Sequence, residues 1–128
     1  MKWTSIQERH KALLKAYQGY GHEVDCSFDE FVERVKKFEV TPIRNKNGIV
    51  GAWLVYKNEI HVSATEPFNV RKYVRQVFNP IFKYYLEAVT SVVETNTKGL
   101  QFVKYFGFKE VNRQNGIIYL RTNHGWYC

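Results

Sequence analysis

The last third of the chain constrains the fold most strongly. An extended apolar run ends at Thr95 and Asn96, a short amphipathic segment follows, and Gly107 and Phe108 lead into two further strand-like runs. The side chain of Asn96 stands where a strand becomes a helix, so it can cap free backbone N–H groups. Gly107 follows the apolar helix positions and tolerates the left-handed conformation that ends a helix. The pattern predicts a strand–helix–strand unit, which many proteins form without any cofactor.

The remainder of the chain alternates between helical and strand periodicity. Two helices come first: Ser5 caps one over residues 5–17, and Ser27 begins the other. Strand-like runs follow around Ile43, over residues 49–56 and over Glu59–Ala64. A helix is predicted from residue 69 to about 88, with Pro80 bending or interrupting it. The last strands are predicted at residues 91–95, 110–113 and 117–122, with a hairpin turn at residues 114–116.

Composition limits the chain to one domain. The 128 residues include 45% hydrophobic and 16% aromatic side chains, enough for a single core. No apolar run approaches the length of a membrane span, and the first residues lack the apolar centre of a signal peptide. Cys26 and Cys128 form neither a zinc pattern nor a disulfide framework, so no metal site and a reducing cytoplasm are predicted. The net charge of +7 suits an acidic partner, without choosing between nucleic acid, a phosphorylated cofactor and a protein.

The order of elements and the spacing of Asn96, Gly107 and Phe108 resemble the GNAT superfamily of acyl-CoA N-acyltransferases. The resemblance extends over about residues 4–122 and lacks at most one N-terminal edge strand. It implies an α/β (α+β) single domain over residues 1–128, with a mixed central sheet whose strands splay, two N-terminal helices, one long helix and one short helix. The segment from Asn96 to Phe108, in so short a chain, is also similar to small acetyltransferase-like proteins of tailed bacteriophages.

The resemblance implies a cleft for acyl-CoA between the family's fourth and fifth strands. By position the fourth strand is Glu59–Ala64, so the backbone of Val62, Ser63 and Ala64 would contact the pantetheine arm, and Asn96 would lie beside the cofactor. The family's glycine-rich pyrophosphate loop corresponds here to residues 65–73, which contain no glycine.

The missing glycines change how phosphate could be held. Arg71, Lys72 and Tyr73 are the candidate contacts, and Arg71 falls where the family often has an arginine. Basic side chains can replace backbone donors, whereas Val70 and Tyr73 would obstruct close approach of a phosphate. The alternative is an ordinary solvated first turn of a helix.

The resemblance also implies a general acid and a general base for the reaction. The family often has a tyrosine five residues before the Gly-Phe pair to protonate the CoA thiolate, and Val103 stands there. Tyr105 lies on another face of the same helix and does not inherit the role. For the general base, the candidates are His61 and Glu94, each of which has an ordinary alternative, as a sheet histidine and as a strand-end charge.

Two function classes follow from these expectations. The first is an N-acetyltransferase that uses acetyl-CoA and transfers the acyl group to an amine, on a small molecule or a protein. The second is a catalytically silent GNAT-fold phage protein that binds a host or virion component. An aromatic patch from Trp3, Tyr84, Tyr85 and the tail 123–128 would favour a homodimer or a protein partner. A nucleic-acid surface at the basic residues of the long helix also stays open. The predicted location is the cytoplasm, the host's if the chain is phage-encoded.

Overall fold

A mixed six-stranded sheet forms the centre of the protein. The computed structural model describes residues 5–21 and 25–123. In chain order the strands are β1 (Glu39–Asn45), β2 (Gly48–Tyr56), β3 (Glu59–Ala64), β4 (Glu87–Val93), β5 (Lys109–Gln114) and β6 (Ile117–Asn123). Across the sheet they follow the order β1-β2-β3-β4-β6-β5, and among these described strands only β3 and β4 are parallel neighbours.

Helices cover both faces of the sheet. They are α1 (Ile6–Tyr20), α2 (Phe28–Arg34), α3 (Arg71–Tyr84) and α4 (Thr97–Tyr105). The element order is the predicted one, and the α+β fold with two N-terminal helices, one long helix and one short helix is confirmed. Trp3 and the tail after Asn123 lie outside the described residues, so the predicted aromatic patch at the tail stays a prediction.

Two apolar clusters lie on opposite faces of the sheet. On one face, Ala12, Leu13 and Ala16 of α1 and Phe31 of α2 pack over Leu54. On the other, α3 and α4 pack over Trp53, Ile60, Ile118 and Leu120. The strands therefore alternate between two buried faces, and β2 is buried over most of its length.

Local capping signals in the sequence are confirmed. Ser5 and Ser27 each form a capping box, with Glu8 and Glu30 respectively. At the end of α4, the Gly107 N–H donates to Lys104 O (3.0 Å) with φ at +82°. These bonds set where the helices begin and end, independently of the packing around them.

The boundary between α3 and β4 differs from the prediction. The helix ends at Tyr84 and the strand starts at Glu87, whereas the sequence pattern carried the helix to residue 88. Burial alternates along β4 and the strand pairs with β6 from Glu87 onward, a pairing between segments distant in sequence. Of the two effects expected at Pro80, a bend or an interruption, the interruption was wrong, since α3 continues through it and closes with Tyr85 N donating to Ile81 O at 2.9 Å.

Within the described residues, none of the helices has the length and apolar character needed to cross a membrane.

Candidate functional site

A cleft opens between β3 and β4 in the middle of the sheet. The two strands pair at a single position, Glu59 opposite Val89, where Val89 N donates to Asn58 O at 2.8 Å. The Asn58 side chain reinforces this contact by donating to Glu87 O at 3.1 Å. Beyond it the strands no longer pair, and a cavity of about 900 Å³ lies between them. We call the Glu59–Val89 end the apex of the cleft.

Backbone groups of β3 point into this cleft. Peptide groups along a strand alternate in direction, and Asn58 O points at β4. The backbone groups of Val62 and Ala64 therefore point the same way, although β4 no longer pairs with them. Both residues line the cleft, and so does Ser63 between them. The edge offers hydrogen-bond donors and acceptors to an extended ligand.

Side chains from both helical layers complete the walls. On the face covered by α3 and α4, Val62, Phe102 and Val103 line the cleft. On the face covered by α1 and α2, the wall includes Phe38 and His61. Among the described residues, α2 and the residues on either side of it contribute five residues to the cleft: Asp25, Phe31, Arg34, Val35 and Phe38. This wall was not predictable from the sequence, because no local signal shows which helix lies over which strand.

His61 sits near the apex and is held on two sides. Its Nε2 lies 2.6 Å from Glu59 Oε2, and its ring centroid lies 6.0 Å from that of Phe38. The hydrogen bond with His61 lowers the pKa of Glu59, against the smaller opposing effect of burial. The His61 side chain keeps 21% of its surface exposed, so a molecule in the cleft can reach it.

Ser63 has a structural contact on the α1 side of β3. Its hydroxyl donates to Ala16 O at 2.7 Å, and the residue is buried. The hydroxyl therefore anchors α1 to the cleft strand. Because peptide groups alternate along β3, the backbone N–H and C=O of Ser63 point toward β2 and away from the cleft, so the expected contact of this backbone with a ligand is not supported.

The N-terminus of α4 lies at the cleft. Asn96 caps the helix by accepting from Gly99 N at 2.9 Å, as predicted, and both residues line the cleft with Lys98. Lys98 is exposed and adds a positive charge that the sequence analysis did not single out. The sequence signal that could have identified Lys98 is its position two residues after Asn96, in the first turn of α4.

The first turn of α3 is less directly connected to the cleft. Arg71 and Lys72 are exposed and are not among the cleft residues of the described chain, whereas Val70 is. Tyr73 is buried in the core, where its hydroxyl accepts from Arg44 N at 2.8 Å. Tyr73 therefore supports the helix from inside, and the two basic side chains stand at its surface.

The remaining positions considered for the acid and the base differ in whether they line the cleft. Glu94 is exposed outside the cleft lining and lies 3.7 Å from Arg113. Val103 faces the cleft from α4, where the family's tyrosine was expected, and Tyr105 is 64% exposed on another side of that helix. Within the described residues, no three His, Cys, Asp or Glu side chains come together as a metal site.

The architecture is similar to that of solved GNAT acetyltransferases. The ribosomal-protein-S18-alanine N-acetyltransferase from Escherichia coli has 13% identity and a TM-score of 0.60, covering 87% of this chain and 86% of its own. A GNAT-family acetyltransferase from Listeria monocytogenes 4b F2365 has 11% identity and a TM-score of 0.60, covering 95% and 92%.

A further similar structure is PH1933 from Pyrococcus horikoshii OT3, with 17% identity and a TM-score of 0.67, covering 97% of this chain and 93% of that one. No protein-family model matches the sequence, and no curated protein matches it. The similarity to the two acetyltransferase structures shows that the protein has a GNAT-like fold.

Proposed function

We propose that the protein is an acyl-CoA N-acyltransferase that uses acetyl-CoA and transfers the acyl group to an amine. The observation that carries this proposal is the cleft between β3 and β4, where Val62 and Ala64 present backbone groups that no neighbouring strand engages. An extended pantetheine arm carries amides that can exchange hydrogen bonds with such an edge. The cavity of about 900 Å³ has room for that arm together with an acceptor.

The walls of the cleft support separate places for the two substrates. The CoA arm would run along β3 toward α3 and the N-terminus of α4, where Lys98 lines the cleft. Arg71 and Lys72, exposed on the first turn of α3, would meet the phosphates outside the cleft. The acceptor amine would enter from the α2 side, past Phe38, and meet the thioester near His61.

The chemistry is aminolysis of a thioester. The cleft would hold the amine nitrogen against the acyl carbonyl carbon, so that attack is intramolecular in effect. The β3 backbone N–H groups would stabilise the developing oxyanion. His61 would take the proton from the attacking nitrogen. The proposal assigns no catalytic role to Glu94, which lies outside the cleft lining.

Calorimetric titration of the purified protein with acetyl-CoA, at low and moderate salt, tests the donor site. Micromolar binding supports the proposal, and the Arg71→Ala/Lys72→Ala double variant should weaken it, most strongly at low salt. A matched control is Lys57→Ala/Lys83→Ala, which removes two exposed charges at the opposite ends of β3 and α3.

The two possible failures have different meanings. Unchanged binding in the Arg71/Lys72 variant would reject the phosphate role of those side chains while leaving the cleft in place. No binding by the unaltered protein would overturn the enzyme proposal and favour the catalytically silent binding protein, to be followed by a search for its partner. The cytoplasmic location, the likeness to phage proteins, a homodimer and nucleic-acid binding stay predictions.

A further inference from the structure

We propose that Glu59 is a positioning residue for His61, which it orients so that Nδ1 of the imidazole is the proton acceptor of the reaction. This inference rests on the proposed function, because it concerns the base of that same cleft.

The two side chains share one face of β3. Residues two apart in a strand point the same way, and here Nε2 of His61 comes within 2.6 Å of Oε2 of Glu59. Glu59 occupies the one position where β3 still pairs with β4, opposite Val89. Its backbone is therefore fixed by strands on both sides, which makes it a firm support for a neighbouring side chain.

Phe38 restricts the imidazole further. Its ring lies 6.0 Å from the His61 ring, centroid to centroid, with 53° between the planes. The imidazole is thus held by a hydrogen bond at Nε2 and by ring packing, while 21% of the side chain stays exposed. A base held in this way keeps one orientation toward a substrate.

The hydrogen bond determines which nitrogen is basic. An ionised carboxylate only accepts hydrogen bonds, so the proton of neutral His61 resides on Nε2 and the lone pair on Nδ1. Glu59 is the ionised partner, since the bond to His61 lowers the pKa of this carboxyl. The cleft carboxylates among the described residues have other contacts: Asp25 lies 3.9 Å from Arg34, and Glu66 accepts from Asn47 at 2.7 Å.

In the proposed transfer, Nδ1 of His61 accepts the proton of the amine and later releases it. The amine nitrogen forms a bond to the acyl carbon, and its proton passes to Nδ1 of His61. The carbon–sulfur bond breaks with its electron pair on sulfur, giving an amide and a thiolate. The imidazolium returns the proton to that sulfur through water, so His61 ends neutral and CoA leaves as the thiol. Glu59 remains ionised throughout and stabilises the imidazolium.

Nitrogen NMR of His61 in the ligand-free protein tests the inference, with His61→Gln used to assign the signal. We expect the pattern of the Nε2–H form in the unaltered protein and a mixture of both tautomers in Glu59→Ala. Glu59→Gln should keep the pattern, because its amide oxygen still accepts. Glu87→Ala, which removes another carboxylate at the apex, is the matched control and should change nothing.

Kinetics give the second readout. Glu59→Ala should lower kcat by about tenfold or more with little change in the KM for acetyl-CoA, and Glu59→Gln should recover part of the loss. An Nδ1–H form in the unaltered protein, or a Glu59→Ala variant with unchanged tautomer and rate, would overturn the inference alone. Absence of acetyl-CoA binding by calorimetry would overturn the proposed function, and with it the role of His61 as base.

Discussion

Val103 is the residue at which this cleft differs most from an acyltransferase site that supplies its own acid. Its side chain faces the cleft and carries no proton to donate, while Tyr105 is directed elsewhere. In the proposed reaction, no side chain of α4 protonates the departing sulfur, which would receive its proton from His61 through water. Leaving-group protonation is therefore the step that a single substitution should alter.

We predict that Val103→Tyr accelerates acyl transfer, because it would place a phenol in the cleft at the position of the missing acid. Val103→Phe is the control, since it adds the same ring without the hydroxyl. Initial rates of CoA release should be at least about tenfold higher for the tyrosine variant than for the phenylalanine variant. Equal rates for the two variants would show that an acid at this position is unnecessary.

Glu8 is a second residue whose environment gives a measurable effect. Its pKa is lowered mainly by the hydrogen bond from Ser5 N, and then by the side chain of Arg44 on β1. Since the folded-state pKa is below the ordinary value, the ionised form stabilises the fold above that value. The stabilisation is lost as the pH falls through the lowered pKa.

We therefore predict that Glu8→Gln is less stable than the unaltered protein at neutral pH, and that the difference disappears on acidification. Urea unfolding midpoints measured across a series of pH values test this. A difference of constant size at every pH would mean that the charge of Glu8 contributes nothing and that the amide merely packs differently.

At the scale of elements, α4 begins with two residues that constrain each other. Asn96 caps the helix through Gly99 N, and a Cβ built on Gly99 would lie 2.3 Å from Asn96 Nδ2. Glycine is a poor helix former, so its presence in the first turn has a specific reason here. It leaves room for the side chain that caps the helix.

A double-mutant cycle should reveal this dependence. Asn96→Ala should cost about 1 kcal/mol of unfolding free energy through the lost cap. Gly99→Ala should bring no gain in the unaltered protein, because the new methyl group displaces Asn96. In the Asn96→Ala background the same change should stabilise by up to about 1 kcal/mol. Additive effects, measured by chemical denaturation, would contradict the explanation.

Elements with local signals were predictable from the sequence, and those defined by distant partners were less so. The caps at Ser5, Ser27 and Asn96 depend on residues three positions away, and all three are confirmed. The start of β4 was wrong by four residues, because the pairing of Glu87 with Asn123 overrides the helical pattern that precedes it. Sequence periodicity carries no information about that partner.

The same distinction applies to the site. His61 and the backbone of Val62 were named through the resemblance to the GNAT superfamily, and both residues line the cleft. The contact of Ser63 with Ala16 joins residues 47 positions apart, and Phe38, four residues beyond the end of α2, lines the cleft beside the ring of His61. Those contacts depend on which helix covers which face, and the sequence does not encode that locally.

At the scale of the whole molecule, the cleft interrupts the hydrogen bonding of the sheet. We predict that the amides of Val62 and Ala64 exchange quickly with solvent in the free protein, because β4 does not pair with them. Acetyl-CoA should slow their exchange, while the amide of Ile60, beside the apex, should change little. Hydrogen exchange followed by NMR measures this residue by residue. Slow exchange at Val62 without ligand would mean that the cleft is closed in solution.

The sheet consists of two three-stranded halves, β1-β2-β3 and β4-β6-β5, and β3 pairs with β4 at one position, Glu59 opposite Val89. A donor molecule lying along β3 would supply rungs that the polypeptide lacks and would act as an additional strand. Folding and donor binding would then be coupled, so that the bound donor raises the free energy of unfolding by mass action. The cellular concentration of acyl-CoA would then determine the fraction of protein molecules in which a bound donor bridges β3 and β4.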